Sequence, residues 1–216
     1  VFVGHYGVSF AAKKGDASVP LWVLFVAVQL LDFVWAPLVL LGVEKVRIVP
    51  GFTRTNALDL YYMPYTHSLV AAVLWSAAAF AVYRLAARGG NIAALVVAAA
   101  VFSHWILDLV VHVPDLPLYD DTAKVGLGLW NRPVTALGLE AAALFGGMWL
   151  YFRTGGARRL AMAAFGIVML AIQVYVFFGP PPASDKSLAV TALAAYVVFA
   201  VVVRLIEGPR RNARTV

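Results

Sequence analysis

The chain contains no cysteine, so disulfides and thiolate metal sites are excluded, and any metal ligand must be His, Asp, Glu or a terminus. Charge is scarce too. Only 13% of the 216 residues are Asp, Glu, Lys or Arg, against about 25% in a soluble domain. Histidine is limited to four residues. Against these shortages, 62% of the chain is hydrophobic. A soluble core of this size has no room for so much apolar surface, whereas lipid is itself apolar and accepts it. The net charge of +6 does not indicate a nucleic-acid partner. The basic residues lie mainly in short stretches between apolar runs, where they set membrane orientation.

Long apolar runs are what the chain has in abundance. A spanning helix needs about 20 apolar residues. Six segments meet that length: Pro20–Leu41, His67–Leu85, Asn91–Val111, Pro133–Phe152, Leu160–Gly179 and Ser187–Ile206. Gly89-Gly90, Pro114, Pro117, Gly155-Gly156 and Pro180 to Pro182 punctuate them. Pro20 and Pro133 stand at helix starts, where proline is tolerated. Pro37 lies inside the first span and is expected to kink it. Val1–Ala12 is apolar but reaches only about 18 Å as a helix, so it reads as a half-inserted helix packed among the spans. The expected fold is an all-α polytopic membrane bundle of about six transmembrane helices plus this half-helix. It forms a single domain over residues 1–216, with a basic tail over 207–216 and the last two spans as packing helices. The loops Gly42–Thr66 and His112–Arg132 are long enough to fold back over the bundle as a cap.

Orientation follows from basic residues counted by side. One side holds Lys13, Lys14, Arg84, Arg88, Arg153, Arg158, Arg159, Arg204, Arg210, Arg211 and Arg214. The other holds Lys45, Arg47, Arg54, Lys124, Arg132 and Lys186, matched by Glu44, Asp59, Asp115, Asp120, Asp121 and Asp185. The richer side, with the C-terminus, is therefore expected in the cytoplasm, and the long loops face outward. Trp22, Tyr61, Tyr62, Trp130 and Tyr151, near span ends, read as an interfacial aromatic belt. Asp115, Asp120 and Asp121 read as solvated loop acids.

Ionisable groups inside a bilayer are costly, so each one is a candidate functional residue. They are Asp32, His104, Asp108 and Glu140, with His67 and His112 at span ends and His5 in the N-terminal segment. The topology places them at similar depth, toward the outer face. Ser103-His104-Trp105-Ile106-Leu107-Asp108 is the strongest local signal, because positions i and i+4 share a helix face. His112 extends that stripe. A His and a carboxylate one turn apart can bind one ion, or the acid can orient the imidazole. Zinc accepts such ligands and often keeps a position open for water. His5, His67, His104, Asp108 and His112 are the candidate metal ligands, and Asp32 and Glu140 the candidate general bases. Three functions draw on the same residues: a metal-dependent hydrolase, a transporter or proton relay, and a non-catalytic assembly subunit with a structural polar or metal knot.

At these residues the chain resembles the bacterial membrane-bound metal-dependent hydrolases (YdjM-like). The matching elements are Gly4-His5, Asp32, Thr66-His67-Ser68-Leu69, and Ser103-His104 followed by Leu107-Asp108. The sequence departs from that pattern at Asp32-Phe33-Val34-Trp35, where relatives carry Asp-x-Asp-His, and at Tyr62-Met63-Pro64, where they carry a further His. The ligand order is also similar, more distantly, to the all-helical zinc phospholipase C and P1-nuclease group, whose late His is here Ala136. These resemblances imply a zinc or other divalent-metal cofactor, a bacterial inner membrane, and hydrolysis of a phosphoester or lipid headgroup.

Overall fold

The structure is a computed structural model that describes residues 2–86, 90–155 and 158–208. Arg88, Arg210, Arg211 and Arg214, and with them Val1, Gly89, Gly156 and most of the basic tail, lie outside the described residues. Eight helices occur among those described: α1 (Val3–Ala12), α2 (Leu21–Val28), α3 (Leu30–Leu40), α4 (Leu69–Ala86), α5 (Asn91–Val111), α6 (Pro133–Arg153), α7 (Arg159–Phe178) and α8 (Asp185–Glu207). Five are long and apolar enough to cross a membrane, and α2 with α3 makes a sixth span bent by 51°. Only 17–44% of the most apolar windows of the five is buried. Leu74, Leu85, Leu95, Ile167, Val190 and Leu205 point outward. An all-helical bundle with so much apolar surface turned outward is the composition of a membrane protein.

The half-helix is the most enclosed element. Val3, Gly4, His5, Tyr6, Gly7, Ser9 and Phe10 of α1 are all buried. The helix lies against α6 so closely that a side chain at Gly7 would strike the Ala143 backbone, and one at Gly147 would strike the Gly7 backbone. At its end Lys13 pairs with Glu207 of α8 at 2.7 Å, and the same carboxylate accepts the Leu21 amide at 2.8 Å. This charge cluster pins α1, α2 and α8 together at the end of the bundle away from the long loops. Tyr6, Phe10, Phe25, Phe165 and Phe199 interlock above it.

The bend of the first span falls at Gln29, and α3 runs through Pro37. The reason is tertiary: at the break the Val28 carbonyl leaves the helical pattern and accepts from His104 Nδ1 at 2.7 Å. The loop after α3 contains an antiparallel hairpin, β1 (Lys45–Ile48) with β2 (Leu58–Tyr62). Its alternating Lys45-Val46-Arg47-Ile48 buries one face and exposes the other. Lys124 donates to the Tyr61 carbonyl at 2.7 Å, so the second long loop is tied to the hairpin. Trp130 and Tyr151 are not belt residues. Trp130 is buried on the His112 ring and Tyr151 against Phe10.

Candidate metal centre

Four elements bring the polar residues to one place near the loop end. Asp32 sits in the first turn of α3, a position the break at Gln29 creates. His67 lies in the turn just ahead of α4, where Ser68 Oγ accepts the Ala71 amide and so starts the helix. His104 and Asp108 share a face of α5, and His112 caps that helix. His5 comes in on α1. All four histidines of the chain thus stand around two carboxylates.

The distances are close and regular. His67 Nε2 lies 3.3 Å from Asp32 Oδ1 and 3.8 Å from Asp108 Oδ2. His104 Nε2 lies 3.1 Å from Asp108 Oδ2 and 3.8 Å from Asp32 Oδ1. His5 Nε2 is 3.2 Å from Asp108 Oδ1, and His112 Nε2 is 3.7 Å from Asp108 Oδ2. His5 and His104 stack in parallel, with ring centroids 4.0 Å apart. Two overlapping triads, His5–His104–Asp108 and Asp32–His67–His104, each offer ligand atoms within 4.8 Å of one another.

Hydrogen-bond chemistry sets which nitrogen faces inward. A carbonyl can only accept, so His104 Nδ1 carries the proton given to Val28 O. The Thr66 hydroxyl donates to Glu44 Oε2 at 2.6 Å and therefore accepts from His67 Nδ1 at 2.7 Å. His112 Nδ1 donates to Asp115 Oδ1 at 2.8 Å. With Nδ1–H engaged outward, each neutral ring presents a bare Nε2 lone pair to Asp32 and Asp108. Lone pairs facing carboxylates repel unless a cation stands between them or the rings are protonated. Nε2 of His104 and both ring nitrogens of His5 make no hydrogen bond among the described residues. Ligand atoms about 2.1 Å from a tetrahedral ion stand about 3.4 Å apart. The separations of 3.1–3.8 Å around Asp32, His67, His104 and Asp108 straddle that value. Metal-ligating imidazoles usually have their other N–H tied in this way to a carboxylate, hydroxyl or carbonyl. The donor set fits a divalent transition metal.

The structure also places residues that sequence reasoning missed. Asp115 is buried and bonded to His112, not solvated. Its place three residues after His112 was the available signal. Glu44 is buried and accepts from the Tyr65 and Thr66 amides and the Thr66 hydroxyl. Burial pushes its carboxyl above the usual range, with His67 and these hydrogen bonds pulling the other way. Nothing local marks it, since its partners are more than 20 residues on. Tyr196 of α8 donates to Asp32 Oδ2 at 2.9 Å, so α8 is more than a packing helix. Glu140 is fully enclosed at the start of α1, where it accepts the Phe2 and Gly4 amides at 3.0 and 2.7 Å. A cavity of about 760 Å³ reaches this group, with Asp32, His67, Asp108, His112 and Glu140 on its wall.

No protein-family model, no curated protein and no solved structure matches the chain. Fold and site alone therefore define its class: an all-helical bundle whose apolar helices fit a multi-pass membrane protein, with a buried histidine–aspartate cluster able to hold a metal ion.

Proposed function

We propose that the protein is a membrane-embedded metal-dependent hydrolase, of the kind its motifs resemble, acting on a phosphoester or lipid headgroup. The observation that carries the reading is the convergence of tied imidazoles on Asp32 and Asp108, open to a cavity of substrate size. Asp32, His67, His104 and Asp108 would hold the metal, flanked by His5 and His112. Zinc suits imidazole and carboxylate donors. A divalent metal bound there would supply Lewis acidity, lowering the pKa of water and polarising a phosphoryl oxygen. Glu140, fixed on the cavity wall by the two α1 amides whose hydrogen bonds it accepts, would take a proton from the attacking water. The aromatic packing of the opposite half of the bundle favours a one-sided site over a path across the membrane. The basic-residue bias supports an outward-facing site, and the resemblance supports a bacterial inner membrane.

Purified protein should hydrolyse bis(p-nitrophenyl) phosphate or a phospholipid. Chelation should abolish the activity, zinc should restore it, and His104→Ala should lack it. Turnover that survives both chelation and His104→Ala would sink the reading.

A further inference from the structure

The cavity extends well beyond the cluster. Its far wall is one face of α8, from Ser187 and Leu188 through Thr191, Ala192 and Ala195 to Tyr196. That stretch is about 14 Å long. Opposite stand Ile172 and Val176 of α7. The two helices diverge here for a readable reason. Pro180, Pro181 and Pro182 cannot continue α7, and Ser184 and Ser187 restart the chain as α8 with reciprocal capping bonds. Helix α7 then packs on α6, while α8 packs on α2 and α3. Tyr175, Val176 and Thr191 are exposed along the resulting slot, so its side faces the apolar surroundings of the bundle.

Besides the carboxylates of Asp32, Asp108 and Glu140, the cavity wall carries hydrogen-bond donors and a cation. Trp35 Nε1 and Gln173 Nε2 are buried donors without a hydrogen-bond partner among the described residues, and both residues line the cavity. Gln173 is oriented by its own Oε1, which accepts the Val3 amide. Arg54 lines the mouth, and no ion pair joins it to an acid of the described residues. Buried donors require acceptors, and a cation adds a demand for negative charge. Asp108 lies three residues before the end of α5, about 5 Å from it along the axis. Helix α5, with 21 residues, is about as long as the hydrocarbon core of a bilayer is thick, so in a spanning pose Asp108 stands about one turn inside the boundary of headgroup and acyl chain.

We infer that the cavity binds a phosphate-bearing lipid, with its phosphate oxygens on Trp35, Gln173 and Arg54 and its acyl chain leaving sideways between α7 and α8. The inference deepens the hydrolase reading and rests on it for the chemistry at the site. Acyl chain and phosphate are both needed: free phosphate satisfies the donors but leaves the slot unfilled.

The test uses the full chain in phosphatidylcholine nanodiscs containing phosphatidic acid with a diazirine in its acyl chain. Crosslinks should concentrate on Val176, Leu188 and Ala192. Unlabelled phosphatidic acid should compete, and inorganic phosphate should not. Ala192→Trp should abolish the slot crosslinks. Trp35→Phe, which keeps the ring and removes the donor, should reduce them about tenfold. Crosslinks spread evenly over outward positions such as Leu74 and Val82, or full competition by inorganic phosphate, would overturn the inference. Metal content of the same samples reports separately on the enzyme. Slot crosslinking in protein that binds no metal keeps the lipid site and removes the hydrolase, and metal binding without slot crosslinking does the reverse.

Discussion

Three of the four histidines of the cluster are useful because of what their outer nitrogen does. Val28 O, the Thr66–Glu44 pair and Asp115 set the tautomers of His104, His67 and His112, and a metal site of this kind is sensitive to such partners. Asp115→Asn should weaken zinc affinity by about 10–100-fold in a chelator-competition titration. Glu44→Gln should do the same, because an amide turned toward Thr66 reverses the hydroxyl that now accepts from His67. Its effect on stability should differ. The folded pKa of Glu44 is raised, so its contribution to stability is present at low pH and is lost as pH rises through that value. At about pH 8 the variant should therefore melt no lower than the parent in a thermal scan. A marked drop in melting temperature there would show that the ionised carboxylate stabilises the fold.

At the scale of elements, the site depends on two irregularities in otherwise ordinary spans. The break at Gln29 frees the carbonyl that orients His104 and sets Asp32 in the first turn of α3. The glycine contact between α1 and α6 lets His5 reach the cluster. Gly147→Val should cost about 1–3 kcal/mol or more in thermal unfolding, since the obstacle is backbone and cannot rotate away. It should also lower metal affinity by displacing His5, and an unchanged melting temperature would contradict the close approach. The spans themselves were legible: Asn91–Val111 is read from apolar length alone and is α5 to the residue. The break was not, because its partner, His104, is 76 residues away, while Pro37 offered a louder and misleading local cue. The hairpin was hidden for a similar reason. Four alternating residues inside a long polar stretch read as loop until the second strand pairs with them. In the site, the ligand-type residues were legible from their cost in a bilayer. Glu44 and Tyr196 were not, because only tertiary contact gives them a role.

The whole molecule is divided by function along its long axis. One end is clamped by Lys13 and Glu207 and filled with aromatic rings. The other carries the cluster, the cavity and the hairpin-bearing loops. Basic residues favour the clamped end, which predicts loops outside and Glu207 inside. The absence of cysteine makes the chain its own labelling background. Tyr119→Cys should react with an impermeant maleimide in intact cells, and Thr154→Cys only after permeabilisation; the opposite pattern would invert the topology.

The proposed site has Asp32, His67, His104 and Asp108 holding a metal, flanked by His5 and His112. Elemental analysis of protein purified after zinc exposure and extensive dialysis tests it most directly. Tightly bound metal is expected in the parent chain, and its loss in both His104→Ala and Asp108→Asn, with the variants still folded by circular dichroism. A parent chain that emerges without metal, or variants that retain it in full, would show that the cluster is not a metal site.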